Sequence, residues 1–181
     1  MKRLSIRPFC EIGVLAVALW GCAMTATAQG HEKPDGTAPE EGDHSIVFEL
    51  GAAGDWSPAE GVHPGGTLAF EVTPIENWLE LEFGVTAIRS STSTETSVDV
   101  LFKKPWQFSR EFEFMVGVGP EIVHATGLDH ATFWGLEGVL DFMFWPRKNV
   151  GWYVEPGYEM TMRGGVRHHG LGIAGGLIVG R

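Results

Sequence analysis

Most of the side chains in this sequence that could do chemistry are carboxylates. Several of them are spaced two or four residues apart. Glu80 and Glu82 are two residues apart, and Glu155 and Glu159 are four apart. Closely spaced carboxylates can hold cations, share protons or act as a general acid and base. No further catalytic motif accompanies them, so we predict no catalytic residues and a non-enzymatic protein. The predicted acidic site consists of Glu80, Glu82, Glu113, Glu121, Glu137, Asp141, Glu155 and Glu159.

Histidines are the second group of candidate residues. Imidazole is the commonest side-chain ligand for zinc and copper, and only its neutral form binds a metal. A weak, pH-dependent divalent-metal site is therefore a hypothesis, and ordinary loop histidines are the alternative, because no HxH or HxxxH spacing fixes a geometry. No other cofactor is expected. The predicted metal site consists of His124, His130, His168 and His169.

A strict alternation of apolar with polar or small residues positions these side chains. The clearest segment runs from residue 134 to residue 144, with sequence WGLEGVLDFMF. Because successive side chains of a strand point to opposite sides, the pattern predicts strands with one apolar and one polar face. The polar face also carries Glu49, Glu71 and Asp99. Eight such strands are predicted, at about residues 45–54, 66–73, 78–89, 96–102, 111–122, 132–145, 150–162 and 169–180.

Eight two-faced strands with almost no helical pattern between them predict an all-β fold, an eight-stranded antiparallel up-and-down β-barrel. No charge interrupts the apolar face, and the longer strands reach the roughly 9–11 residues that a transmembrane strand needs. We therefore expect the apolar face to meet lipid. Aromatic residues near the strand ends match the two interfacial girdles of such barrels. These are Trp78, Trp106, Phe108, Trp145 and Trp152 near one rim, and Trp56 and Trp134 near the other.

A soluble periplasmic barrel of the lipocalin type has the same alternation with the apolar face turned inward. Two observations favour it. The acids would have few basic partners inside a barrel, and burying unpaired carboxylates is expensive. The fourth strand, which we end at residue 102, also offers only three apolar positions. This alternative would bind an apolar ligand against Leu81, Phe83, Phe114, Leu140 and Tyr158.

The chain begins with a segment that is typical of exported proteins. Residues 1–28 contain basic residues, a short apolar run and a small-x-small cleavage site at Ala26-Thr27-Ala28, so they are predicted to be a signal peptide. Lipoprotein processing at Cys22 is the alternative. Residues 29–43 are predicted to be a flexible polar segment and residues 44–181 the barrel domain.

The charge of the mature chain limits its partners. Loss of residues 1–28 takes the acids from 23 to 22 and the bases from 13 to 10, which gives a net charge of −12. Nucleic-acid binding needs a basic surface, so it is disfavoured. Outer-membrane lipid is the expected partner of the apolar face.

The export signal, eight amphipathic strands, short connections and aromatic rims resemble the small eight-stranded outer-membrane β-barrel proteins of Gram-negative bacteria. The resemblance covers about residues 44–181. It implies that fold and a location in the outer membrane, but little about activity. A structural, adhesive or small-cation-handling role is our hypothesis for a non-enzymatic barrel of this kind. The lipid A deacylase barrels of this class use a histidine, a serine and a glutamate on late strands. Here no serine follows His168 or His169 by two residues, so that activity is not carried over.

The resemblance also orients the chain. With the N-terminus in the periplasm, the connections near residues 74–77, 103–110 and 146–149 face the periplasm. The connections near residues 55–65, 90–95, 123–131 and 163–168 face outward. The four histidines are therefore expected at the outer rim.

Overall fold

The computed structural model describes residues 46–57, 61–127 and 130–180. The predicted signal peptide, residues 1–28, and the predicted flexible segment, residues 29–43, lie outside the described residues. Among the described residues no helix is long and apolar enough to cross a membrane.

The chain folds into eight antiparallel strands that close into a barrel, as predicted. Each strand pairs with its neighbours in sequence, and the first pairs with the last, from Val47 opposite Gly180 to Trp56 opposite Leu171. The strands are β1 (Ile46–Ser57), β2 (Gly61–Ile75), β3 (Leu79–Arg89), β4 (Ser93–Gln107), β5 (Phe112–Gly127), β6 (Ala131–Arg147), β7 (Val150–Arg163) and β8 (Val166–Gly180).

The connections alternate between the two ends of the barrel. We call the end with the β1–β2, β3–β4, β5–β6 and β7–β8 connections the loop end, and the opposite end the turn end. The β7–β8 hairpin turns on Gly164 and Gly165, whose φ values of 58° and 82° give the twist that a two-residue hairpin requires. The β2–β3 turn has three residues, 76–78, and one of them, Asn77, has a positive φ of 56°.

Several strands are longer than the alternation predicted. β1 and β2 pair up to Ser57 opposite Gly61, and β4 and β5 pair up to Ser93 opposite Gly127. Most of residues 55–65 and 123–131 therefore belong to strands, and their prediction as loops was wrong. Backbone pairing continues beyond the apolar residues because the ladder needs only N–H and C=O groups.

The apolar face of the barrel points outward, which contradicts the lipocalin-type alternative with its inward-facing apolar cavity. Phe83, Leu140 and Tyr158 are 41%, 44% and 48% exposed on the outer wall, so they cannot line an internal cavity for an apolar ligand. The periplasmic location that depended on such a cavity loses its support. Leu50, Leu68, Ile122, Ile173 and Leu177 are exposed on the same outer wall.

Aromatic side chains form a row around the turn end. Phe144 stacks on Trp152 at 4.0 Å between ring centroids, and Phe112 lies 4.9 Å from Phe144. Trp78 and Trp106 are exposed at the same end. Trp145 was wrongly assigned to this girdle. It is only 6% exposed, because the odd-numbered residues of β6 point into the barrel.

Candidate functional site

An apolar cluster fills the interior at the turn end. Met115, Met143 and Tyr153 are almost fully buried there and pack with Ile178 and Trp145. They come from β5, β6, β7 and β8, so the cluster reaches across the barrel. The turn end is therefore closed by packed side chains, as the narrow interior of an eight-stranded barrel allows.

Directly above this cluster lies one fully buried lysine. The Nζ of Lys103 is 2.9 Å from a carboxylate oxygen of Glu71, 2.9 Å from Asp141 and 2.8 Å from Glu155. It also forms an ion pair with Glu82. Four acidic residues from four different strands thus surround one ammonium group.

Local sequence explains why Lys103 points inward. Asp99, Leu101 and Lys103 alternate along β4, and all three are buried. Gly117 lies directly opposite Lys103 on β5. A Cβ atom at position 117 would lie 2.8 Å from the Lys103 Cγ, so glycine there leaves the space that the lysine side chain occupies.

The carboxylates around Lys103 form the most compact acidic group in the described part of the chain. One oxygen from each of Glu49, Glu71, Glu82 and Asp141 lies within 4.8 Å of the others. We call these four residues the carboxylate cage. Such a convergence suits a cation, and the Lys103 ammonium pairs with three of the four.

Above the carboxylate cage, a cavity of about 220 Å³ rises toward the loop end. It merges with a mouth of about 420 Å³, since Asp55, Glu159 and His168 line both. Arg163 and His168 are its only basic lining residues among those the structure describes. Seven carboxylates line this cavity, which we call the acidic cavity: Asp55, Glu82, Glu95, Asp99, Glu137, Glu155 and Glu159.

The structure brings the predicted acidic residues into one interior but at different depths. Glu80, Glu82, Glu121 and Asp141 are buried. Half-buried positions are occupied by Glu113, Glu137, Glu155 and Glu159. The sequence did not predict Lys103 at this site, because residues 103–110 were assigned to a periplasmic connection. Lys103 continues the two-residue alternation of Asp99 and Leu101, and this spacing is the signal that could have found it.

The four histidines predicted to bind a metal are not brought together. His124 on β5 and His169 on β8 are exposed on the outer wall, and two strands separate them. The His124 Nδ1 lies 2.8 Å from the Thr132 hydroxyl, and the His169 Nδ1 lies 2.6 Å from the Tyr158 hydroxyl. His168 lines the cavity mouth, and His130 is exposed just before β6.

Comparison with known proteins supports the fold. No protein family matches the sequence, and no curated protein matches it. Among solved structures, Neisserial surface protein A matches with a TM-score of 0.61 and 14% identity, over 76% of this chain and 97% of that one. The outer membrane protein OprG from Pseudomonas aeruginosa matches with a TM-score of 0.52 and 10% identity, over 76% and 95%. The chain has the fold of the small eight-stranded outer-membrane β-barrels.

Proposed function

We propose that this protein is a non-enzymatic barrel of the outer membrane of Gram-negative bacteria whose acidic interior binds small cations. The observation that carries the membrane part is the closed outer wall of exposed Leu, Ile, Val and Phe side chains. Large exposed apolar surfaces of this kind mark contact with lipid or protein. An apolar band flanked by aromatic girdles is the surface that a bilayer requires, so lipid is the proposed partner.

The cation-binding role rests on the charge of the interior. The acidic cavity has seven carboxylates against one arginine and one histidine, and the apolar cluster closes the barrel below it. A chamber that is open at one end and closed at the other fits binding better than conduction. The low-dielectric walls strengthen the attraction for a cation inside.

Salt dependence of stability tests this role. We expect sodium chloride to raise the thermal unfolding midpoint more than the same concentration of N-methylglucamine chloride, because sodium enters the cavity and the bulky cation does not. The two salts screen charges equally at equal ionic strength. The difference between the two unfolding midpoints therefore reports only the entry of sodium into the cavity. The folded fraction can be read on gels, because the unheated folded barrel migrates differently from the heat-unfolded chain.

A matched pair of variants provides the control. The combined change Asp99→Asn and Glu137→Gln removes two cavity charges and should shrink the difference between the two salts. The combined change Glu76→Gln and Glu111→Gln removes two exposed charges at the turn end and should leave it intact. Identical curves in both salts for the unaltered protein would limit its role to a structural or adhesive one.

A further inference from the structure

Two pairs of acidic residues in the upper interior lie directly opposite each other on neighbouring strands. Asp99 on β4 faces Glu121 on β5, and Glu137 on β6 faces Glu159 on β7. Like charges at directly opposed positions repel each other. Within the described part of the chain, no salt bridge joins any of these four to a basic residue.

Two of these side chains are also deeply buried with an oxygen that has no partner. Asp99 is 6% exposed and Glu121 is 2% exposed. One carboxylate oxygen of each lies buried without a hydrogen bond, and Asp99 lines the acidic cavity. A buried acceptor without a partner costs free energy, so the Asp99 oxygen at the cavity lining is placed to receive a donor from a ligand.

The carboxylate cage shows how the same interior accommodates such a repulsion. Glu71 and Glu82 also lie directly opposite each other, on β2 and β3. There the Lys103 Nζ pairs with both carboxylates. A primary ammonium on an alkyl stem is therefore the cation that this barrel already uses between two opposed acids.

The upper carboxylates do not converge as metal ligands would. Among the described residues, only the carboxylate cage brings three or more candidate ligands within 4.8 Å of one another. A directly coordinated divalent metal ion needs its ligands to converge on a single point. Apolar side chains also interrupt the acidic wall, including those of Leu101, Val123 and Phe133. Separated acids with apolar surface between them suit ammonium groups joined by methylene segments.

We propose that the acidic cavity binds a linear polyamine, which enters from the loop end and places one ammonium group against Asp99 and another between Glu137 and Glu159. This inference rests on the proposed cation-binding function and names its ligand class. The methylene segments pack on the apolar lining, and the ammonium groups donate to the carboxylate oxygens.

Calorimetric titration of the full mature protein in non-ionic detergent tests the proposal, with spermidine and magnesium chloride as separate probes at one ionic strength. Spermidine is expected to bind about tenfold or more tightly than magnesium, since each charge-assisted hydrogen bond contributes on that scale. The combined change Glu137→Gln and Glu159→Gln should weaken spermidine binding by about tenfold or more on the same grounds. The matched change Glu76→Gln and Glu111→Gln at the turn end should leave it unchanged.

The results of these titrations distinguish failure of the polyamine assignment from failure of the cation-binding function. Magnesium binding as tight as spermidine binding would overturn the polyamine assignment and leave the cation-binding function in place. No binding of either probe, with the sodium effect on stability preserved, would overturn the polyamine assignment alone. If neither binding nor the sodium effect is found, the proposed function fails as well. Should the Glu137 and Glu159 variant not fold, Asp99→Asn serves in its place with the same expected loss.

Discussion

Replacing Lys103 with methionine is expected to destabilise the barrel by about 3–5 kcal/mol, the cost of removing one partner from a buried ion pair. Methionine fills a similar volume but leaves the surrounding carboxylates without the ammonium. Lys103 is completely buried and pairs with four acids, so its loss leaves all four without this ion pair. The free energy of unfolding in urea, measured in phospholipid vesicles, is the readout.

Lys104→Met is the matched control. The Lys104 side chain lies at the turn end, 5.4 Å from the centre of the Trp106 ring, and donates to the backbone oxygen of Asn77. An exposed contact of this kind is worth about 0.5–1 kcal/mol. Adding Glu71→Gln and Glu82→Gln to the Lys103 variant should recover part of the lost stability, because it removes charges that repel each other once the ammonium is gone. A Lys103 variant no less stable than the Lys104 variant would refute this account of the interior.

Leu140→Lys is also expected to lower the stability of the barrel strongly. Leu140 lies near the middle of β6, 44% exposed on the outer wall, and opposite Val116 on β5. If this wall contacts hydrocarbon, a lysine there costs about 2–4 kcal/mol near the bilayer midplane. The measurement is again the free energy of unfolding in vesicles.

A lysine introduced on the same outer wall, closer to the end of the barrel, is the control. Val62 is 73% exposed near the loop end of β2, so Val62→Lys is expected to cost only about 0–1 kcal/mol. The two variants introduce the same charge at different depths along the outer wall. Equal costs at the two positions would mean that no hydrocarbon layer surrounds the middle of the barrel.

The sequence predicts the barrel well because one physical rule governs every strand. A closed sheet with unlike faces demands period-two alternation, and residues 134–144 show it except at Val139 and Met143, which are apolar and point inward. Strand ends were less predictable. β4 was ended at residue 102, whereas the structure continues it to Gln107, since backbone pairing does not require an apolar side chain.

The interior was harder to predict than the wall. The alternation correctly separated acids from apolar residues, but it could not show which acids meet across the barrel, because that depends on register between strands. Lys103 was missed because the predicted fourth strand ended at residue 102, whereas β4 continues to Gln107. The histidines share one end of the barrel as predicted from chain order, yet the pleat sends His168 and His169 to opposite sides of the wall.

Cell fractionation tests most directly whether the apolar outer wall lies in the outer membrane. The mature protein is expected to sediment with outer membranes, to resist extraction by salt, to dissolve in detergent and to change its gel migration on heating. Recovery in a salt-washed soluble periplasmic fraction, with the same migration before and after heating, would contradict the account.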